Sequence, residues 1–184
     1  EQSSPKAIIM DEVAVSRAIK RIAHEIVERN EDAKLALVGI VTRGDLLAKE
    51  LARQIEEIEG VKVPLGRLDI SFYRDDYLTH FSPEVHATDI PFDVNDKRIV
   101  LVDDILYTGR TIRSALDALM DLGRPSRIEL AVLVDRGHRE LPISPDLLVE
   151  RPLVHEENVR LYLKGPDSHT AVEIFDVKPG DASV

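Results

Sequence analysis

Ile99, Val100, Leu101 and Val102 form an uninterrupted apolar run, three of the four β-branched, and two carboxylates, Asp103 and Asp104, follow it directly. Such a run suits a strand buried on both faces of a parallel sheet. After Ile105, Leu106 and Tyr107 comes a turn, Thr108, Gly109, Arg110 and Thr111, and then helical spacing takes over. Ile112, Ala115, Leu116, Leu119 and Leu122 share one face, and Gly123 with Pro125 ends the helix. Hydroxyls, a guanidinium and the free N–H groups of a helix start meet at this junction, which are the parts of a phosphate cradle. The two carboxylates lie where a sugar on that phosphate would sit and can accept hydrogen bonds from a vicinal diol. The segment therefore reads as a site for a ribose 5-phosphate.

The same plan recurs elsewhere. Asp11 to Asn30 carries Val15, Ala18, Ile19, Ile22, Ala23 and Ile26 at helical spacing, with Asp11 as N-cap, and the opposite face carries Arg17, Lys20, Arg21 and His24. Leu35 to Val41 reads as a second buried strand; the turn Thr42, Arg43, Gly44 follows, and then a helical stripe from Leu47 to Ile58 that stops at Gly60. Val63 to Phe72 is strand-like and leads into a long polar loop, Tyr73 to Pro91. Ile128 to Val134 is a further strand, ending in a third polar turn from Asp135 to Glu140, and Val159–Leu163 and Ala171–Phe175 are two more strand candidates. The tail from Lys178 is expected to fray. Alternating strands and helices predict an α/β domain with a mostly parallel sheet, and the loops that leave the strands should gather at one edge.

At 184 residues one well-buried domain, residues 1–184, is expected. A net charge of -10 excludes a nonspecific binder of DNA or of a membrane surface, since those need a positive field. No cysteine is present, which rules out disulfides, thiolate metal sites and a Cys nucleophile. No apolar stretch approaches the roughly twenty residues of a membrane span and no segment resembles a signal peptide, so a cytoplasmic location is expected.

Ile99 to Thr111 resembles the phosphoribosyl-pyrophosphate (PRPP) motif of type I phosphoribosyltransferases. Arg21-Ile22-Ala23-His24-Glu25, Thr42-Arg43-Gly44, Tyr73-Arg74-Asp75-Asp76 and above all Leu133-Val134-Asp135-Arg136-Gly137-His138-Arg139-Glu140-Leu141-Pro142 are similar to one branch of that family, the bifunctional pyrimidine-operon regulators with uracil phosphoribosyltransferase activity. The resemblance covers roughly residues 7–143. It implies the type I phosphoribosyltransferase fold, with a core over about residues 30–140 and a small hood from about residues 1–12 and 141–178. It implies transfer of the phosphoribosyl group from PRPP to uracil, giving UMP and pyrophosphate. Ile99 to Thr111 would bind PRPP. Asp103 and Asp104 would hold the ribose hydroxyls, Thr108 to Thr111 the 5-phosphate, and Thr42, Arg43 and Gly44 the pyrophosphate. Arg74 would make a catalytic contact as the 73–91 loop closes, while Val134, Arg136 and His138 would line the uracil pocket. Mg²⁺ would arrive with PRPP and be held mainly by its oxygens, with no dedicated side-chain cage. Purine-using relatives often carry Asp where this chain has Tyr107, and that difference favours a pyrimidine.

The branch also regulates pyrimidine genes by binding leader messenger RNA in the presence of UMP, and its members associate as homodimers or larger homo-oligomers. On this resemblance Arg17, Lys20, Arg21, His24, Arg29 and Arg139 would contact RNA phosphates. Two basic positions of the branch are here Ser144 and Glu150, and from Glu140 onward there are nine acidic residues against four basic ones. An enzyme, or a UMP or PRPP sensor, that has lost RNA binding is therefore the alternative.

Overall fold

The computed structural model describes residues 5–31, 33–70, 88–150 and 157–176. In chain order the elements are β1 (Ala7–Met10), α1 (Glu12–Arg29), β2 (Leu35–Ile40), α2 (Gly44–Glu59), β3 (Leu65–Leu68), β4 (Arg98–Leu106), α3 (Arg110–Leu122), β5 (Arg127–Asp135), β6 (Leu147–Glu150), β7 (Glu157–Tyr162) and β8 (Ala171–Asp176). Five strands form one sheet in the order β3-β2-β4-β5-β6, and every pairing in it is parallel. The other three form a small antiparallel sheet, β1-β8-β7, drawn from the two ends of the chain.

The central strands alternate between two apolar faces. Leu37, Val100, Val102, Ala131 and Leu133 pack with α1, α2 and the small sheet, whereas Val38, Ile99, Leu101, Leu130 and Val132 pack with α3. Burial on both sides is why β4 reads as a continuous apolar run rather than an alternating one. Each fully buried Leu or Ile here contributes about 1.5–3 kcal/mol. On α1 the Asp11 carboxylate accepts the Ala14 N–H at 2.8 Å, and all six apolar residues expected on its inner face are buried. Gly60 ends α2 in the left-handed region at φ 71°.

Several boundaries differ from the sequence reading. The expected strand Val63–Phe72 is strand only over Leu65–Leu68 among the described residues. Beyond it Asp69 gives its N–H to the Thr88 hydroxyl at 3.0 Å instead of to a neighbouring strand. β4 runs on through both aspartates to Leu106, whose carbonyl accepts the Arg136 N–H at 2.8 Å. β1 and β6 were not anticipated. β6 adds to the large sheet beside β5, although it lies in the segment expected to build the hood.

Candidate active site

Reading across the large sheet, β3 lies to one side of β2 and β4 to the other, so the order of connection reverses between β2 and β4. Ligands of open α/β sheets bind in the crevice outside the carboxyl ends of strands at such a reversal. Here those ends deliver Thr42, Arg43 and Gly44 from β2 and Asp103 and Asp104 from β4.

Two glycines let the turn after β2 press against β4. A Cβ on Gly39 would lie 2.4 Å from the Gly44 carbonyl oxygen and from Asp45 Cα. A Cβ on Gly44 would lie 2.6 Å from the Val102 carbonyl oxygen and 3.3 Å from Asp103 Oδ1. Neither contact is one a real side chain could make, so both positions need glycine for close approach. Between them the Val41–Thr42 peptide is cis and Arg43 takes a positive φ of 74°, a region that few non-glycine residues occupy and that collects at functional sites.

Asp103 is 5 % exposed. It accepts the Asp104 N–H on Oδ1 at 2.9 Å, and Asp104 accepts the Ile105 N–H at 2.7 Å. Burial pushes the Asp103 carboxyl well above the ordinary aspartate range, and the neighbouring Asp104 charge adds to the rise. Burial also raises Asp104, but hydrogen bonds from Asp103 and from backbone amides, and then the Arg43 charge, oppose it. Both carboxyls of the pair are thus raised by burial, and the Arg43 charge holds back Asp104 but not Asp103.

The turn into α3 places Gly109 at φ 93°, with the Thr108 hydroxyl accepting the Arg110 N–H at 3.2 Å. The first-turn amides of α3 face outward there, as at any helix start. The third turn is built on β5, which runs beside β4 with Val134 opposite Ile105. It brings the Arg136 guanidinium 4.2 Å from the centre of the Tyr107 ring and His138 edge-on to that ring, with centroids 5.7 Å apart. Tyr107, Arg136 and His138 thus gather beyond the carboxyl ends of β4 and β5, next along the chain from the fully buried Val134.

Among residues expected to meet RNA, Arg17, Lys20, Arg21 and His24 are all exposed on α1. Arg21 donates to the Leu148 carbonyl at 3.2 Å and lies 3.7 Å from Glu25. Arg29 turns to the opposite end of the sheet, where it joins Arg98 and Arg127 around the buried Glu129 at 3.9, 3.3 and 3.7 Å. Arg139 is engaged within its own loop: it donates to the Ile143 carbonyl at 2.7 Å, to the Tyr107 carbonyl at 2.7 Å and to both oxygens of Asp135 at 2.8 and 2.9 Å. These bonds give Arg139 the work of a clamp that ties the Val134–His138 turn to the end of β4. Arg74 and most of the 73–91 loop lie outside the described residues, as does the tail from Lys178.

Two participants escaped the sequence reading. One is the Asp135–Arg139 pair just described. The other is Asp167, in the turn between β7 and β8, whose carboxylate accepts from Arg43 at 3.0 and 3.3 Å. Only the fold brings together residues 124 positions apart, and an isolated aspartate in a Gly-Pro-Asp turn carries no signal of it. Among the described residues no group of three or more His, Asp or Glu side chains is placed to hold a metal, and no helix is long and apolar enough to cross a membrane.

The model of the phosphoribosyl transferase domain family matches residues 7–157. The chain is 53% identical over 178 residues to the bifunctional protein PyrR of Deinococcus radiodurans, covering 95% of this chain and 97% of that one. It is also 53% identical over 175 residues to the bifunctional protein PyrR of Limosilactobacillus fermentum, covering 92% and 98%. Among solved structures it superposes on a hypoxanthine phosphoribosyltransferase from Staphylococcus aureus with a TM-score of 0.70, at 17% identity over 95% of this chain and 94% of that one. The match to the Trypanosoma cruzi hypoxanthine phosphoribosyl transferase has a TM-score of 0.72, at 18% identity over 95% and 93%. At that identity these two structures establish the type I phosphoribosyltransferase fold and nothing about the base.

Proposed function

Since this chain belongs to the phosphoribosyltransferase family, and within it to the bifunctional PyrR proteins, we propose that it transfers the 5-phosphoribosyl group of PRPP to N1 of uracil and reports UMP to a leader messenger RNA. The observation that carries the catalytic half is what meets at the β2/β4 reversal: the Gly39- and Gly44-dependent turn after β2, the Asp103–Asp104 pair at the end of β4, and the start of α3.

In this reading the C1–oxygen bond to pyrophosphate breaks as a carbon–nitrogen bond forms at uracil N1, positive charge builds on the ribose, and the N1 proton leaves with the pyrophosphate. The Asp103–Asp104 pair holds the ribose diol, and its negative charge stabilises that developing positive charge. Amides at the start of α3 hold the 5-phosphate. Arg43 and the backbone of Thr42 and Gly44 hold the pyrophosphate, joined by Arg74 from the long loop, whose closure excludes water. Tyr107, Val134, Arg136 and His138 define the base pocket, and the Arg139 clamp keeps that turn in register with β4. The donor set beside the crevice is all oxygen, which suits Mg²⁺. Bound with PRPP and flanked by Asp103 and Asp104, the ion would neutralise and orient the pyrophosphate.

The regulatory half is supported by the exposed Arg17, Lys20, Arg21 and His24 on α1. A cytoplasmic homodimer or larger homo-oligomer belongs to the same reading. The test is pyrophosphate release from PRPP with uracil, hypoxanthine and orotate in parallel, with and without Mg²⁺. Release with uracil alone is expected, and its absence at every Mg²⁺ level removes the catalytic assignment. For regulation, leader RNA of neighbouring pyrimidine genes is titrated over a salt series. UMP should tighten binding, and an affinity that UMP leaves unchanged at low salt removes the regulator role.

A further inference from the structure

Arg43 does not wait in the crevice with an open hand. Its guanidinium reaches across to the small sheet and bonds Asp167 at 3.0 and 3.3 Å. Asp167 is itself fixed, since it also accepts the Leu163 N–H at 2.8 Å and its side chain is only 14 % exposed. The arrangement leaves Arg43 Nε buried without a hydrogen-bond partner among the described residues. A buried donor left unmade is costly. A phosphate group that took Nε–H and Nη–H together would satisfy both, with the parallel geometry that arginine offers to phosphate.

We propose that Asp167 is a built-in competitor of pyrophosphate: its carboxylate holds the Arg43 guanidinium, and the pyrophosphate group of the substrate takes the guanidinium over and releases the β7–β8 turn. The exchange links the two sheets. Loading the β2 turn frees the turn of the small sheet, and holding that turn in place withholds Arg43 from the ligand. This role rests on the placing of pyrophosphate at Thr42–Gly44 proposed above.

The experiment uses the full chain and magnesium pyrophosphate as the probe, with affinity read by calorimetry and the β7–β8 turn read by hydrogen exchange. Asp167→Asn keeps an oxygen for the Leu163 N–H and removes the charge. It should bind pyrophosphate roughly tenfold more tightly, a difference of about 1.4 kcal/mol. Its Gly165 amide should already exchange as in the liganded wild type, while the Leu163 amide keeps its bond. Asp167→Glu keeps the charge and should return the affinity towards the wild-type value, which loss of a merely structural contact would not predict. In the wild type, pyrophosphate should speed exchange in that turn. If the wild type binds pyrophosphate and Asp167→Asn binds it no more tightly, the competitor role is overturned and the placing of pyrophosphate stands. If the wild type binds none at all, both are overturned together. An Asp167→Asn chain that shows lost protection throughout β7 and β8 would mark Asp167 as a fold contact and would likewise overturn the proposal.

Discussion

Asp103 is the residue on which stability and function pull apart. Its carboxyl is held above the ordinary value by burial, so the folded chain binds this proton more tightly than the unfolded one. Its stabilising contribution is therefore complete below about pH 3.9, the ordinary aspartate value, and is lost as pH rises through the raised folded value. Replacing Asp103 with Asn should remove that loss. The ligand-free variant should melt at least about 2–4 °C higher than the wild type at pH 7.5, the shift that ~1 kcal/mol gives in a chain of this size, and the gain should vanish near pH 3.5. Thermal melts at both pH values check this, and a gain that persists in acid would contradict it. Arg139 makes the opposite case. It pairs with Asp135, which is 5 % exposed and also accepts the Gly137 N–H, so Arg139→Ala removes the guanidinium from a buried carboxylate and should cost about 3–5 kcal/mol. Lys cannot reproduce bonds to three separate groups and should rescue little. Denaturant titration measures both; an unchanged midpoint would return Arg139 to the surface role that its position in the sequence suggested.

At the scale of elements, the parts that repeat a physical pattern were legible and those fixed by partners were not. The six inner positions of α1, its Asp11 cap, the Gly60 stop of α2 and the apolar run of β4 follow from spacing and capping alone. The length of β4 did not, because Asp103 and Asp104 look like the end of a strand. They stay in the strand because β5 offers a parallel partner as far as Asp135. β6 is four residues without a period of its own, placed by Asp146, which donates its backbone N–H to the Leu130 carbonyl at 2.9 Å and accepts the Leu130 N–H on its carboxylate at 2.8 Å. Within the site, the sequence indicated which turns carry chemistry but not how tightly they close. Gly39 interrupts the apolar run of β2, and its missing side chain makes room for the turn that follows. Gly39→Ala should destabilise the chain by about 1–3 kcal/mol and should weaken pyrophosphate binding more than it alters the α1 or α3 packing. Hydrogen exchange resolved along the chain would show whether the damage concentrates at residues 39–45, as expected, or spreads evenly, which would deny the close approach its role.

At the scale of the whole molecule, one reversal in strand order organises the function. The β2 and β4 ends supply the two turns nearest the reversal, β5 supplies the third, and the small sheet drawn from both chain ends reaches back to Arg43 through Asp167. Convergence at one edge was readable from the alternation of strands and helices. The Asp167 contact was not, since it depends on how two sheets from distant parts of the chain come to pack. We propose that this single edge performs uracil phosphoribosyl transfer with Asp104 at its centre. The decisive measurement is uracil-dependent pyrophosphate release from the wild type and from Asp104→Asn, side by side at saturating PRPP and Mg²⁺. Turnover by the wild type and a loss of about 10²-fold or more in the variant are expected, with its melting temperature no lower than that of the wild type. Equal rates in the two proteins would contradict it.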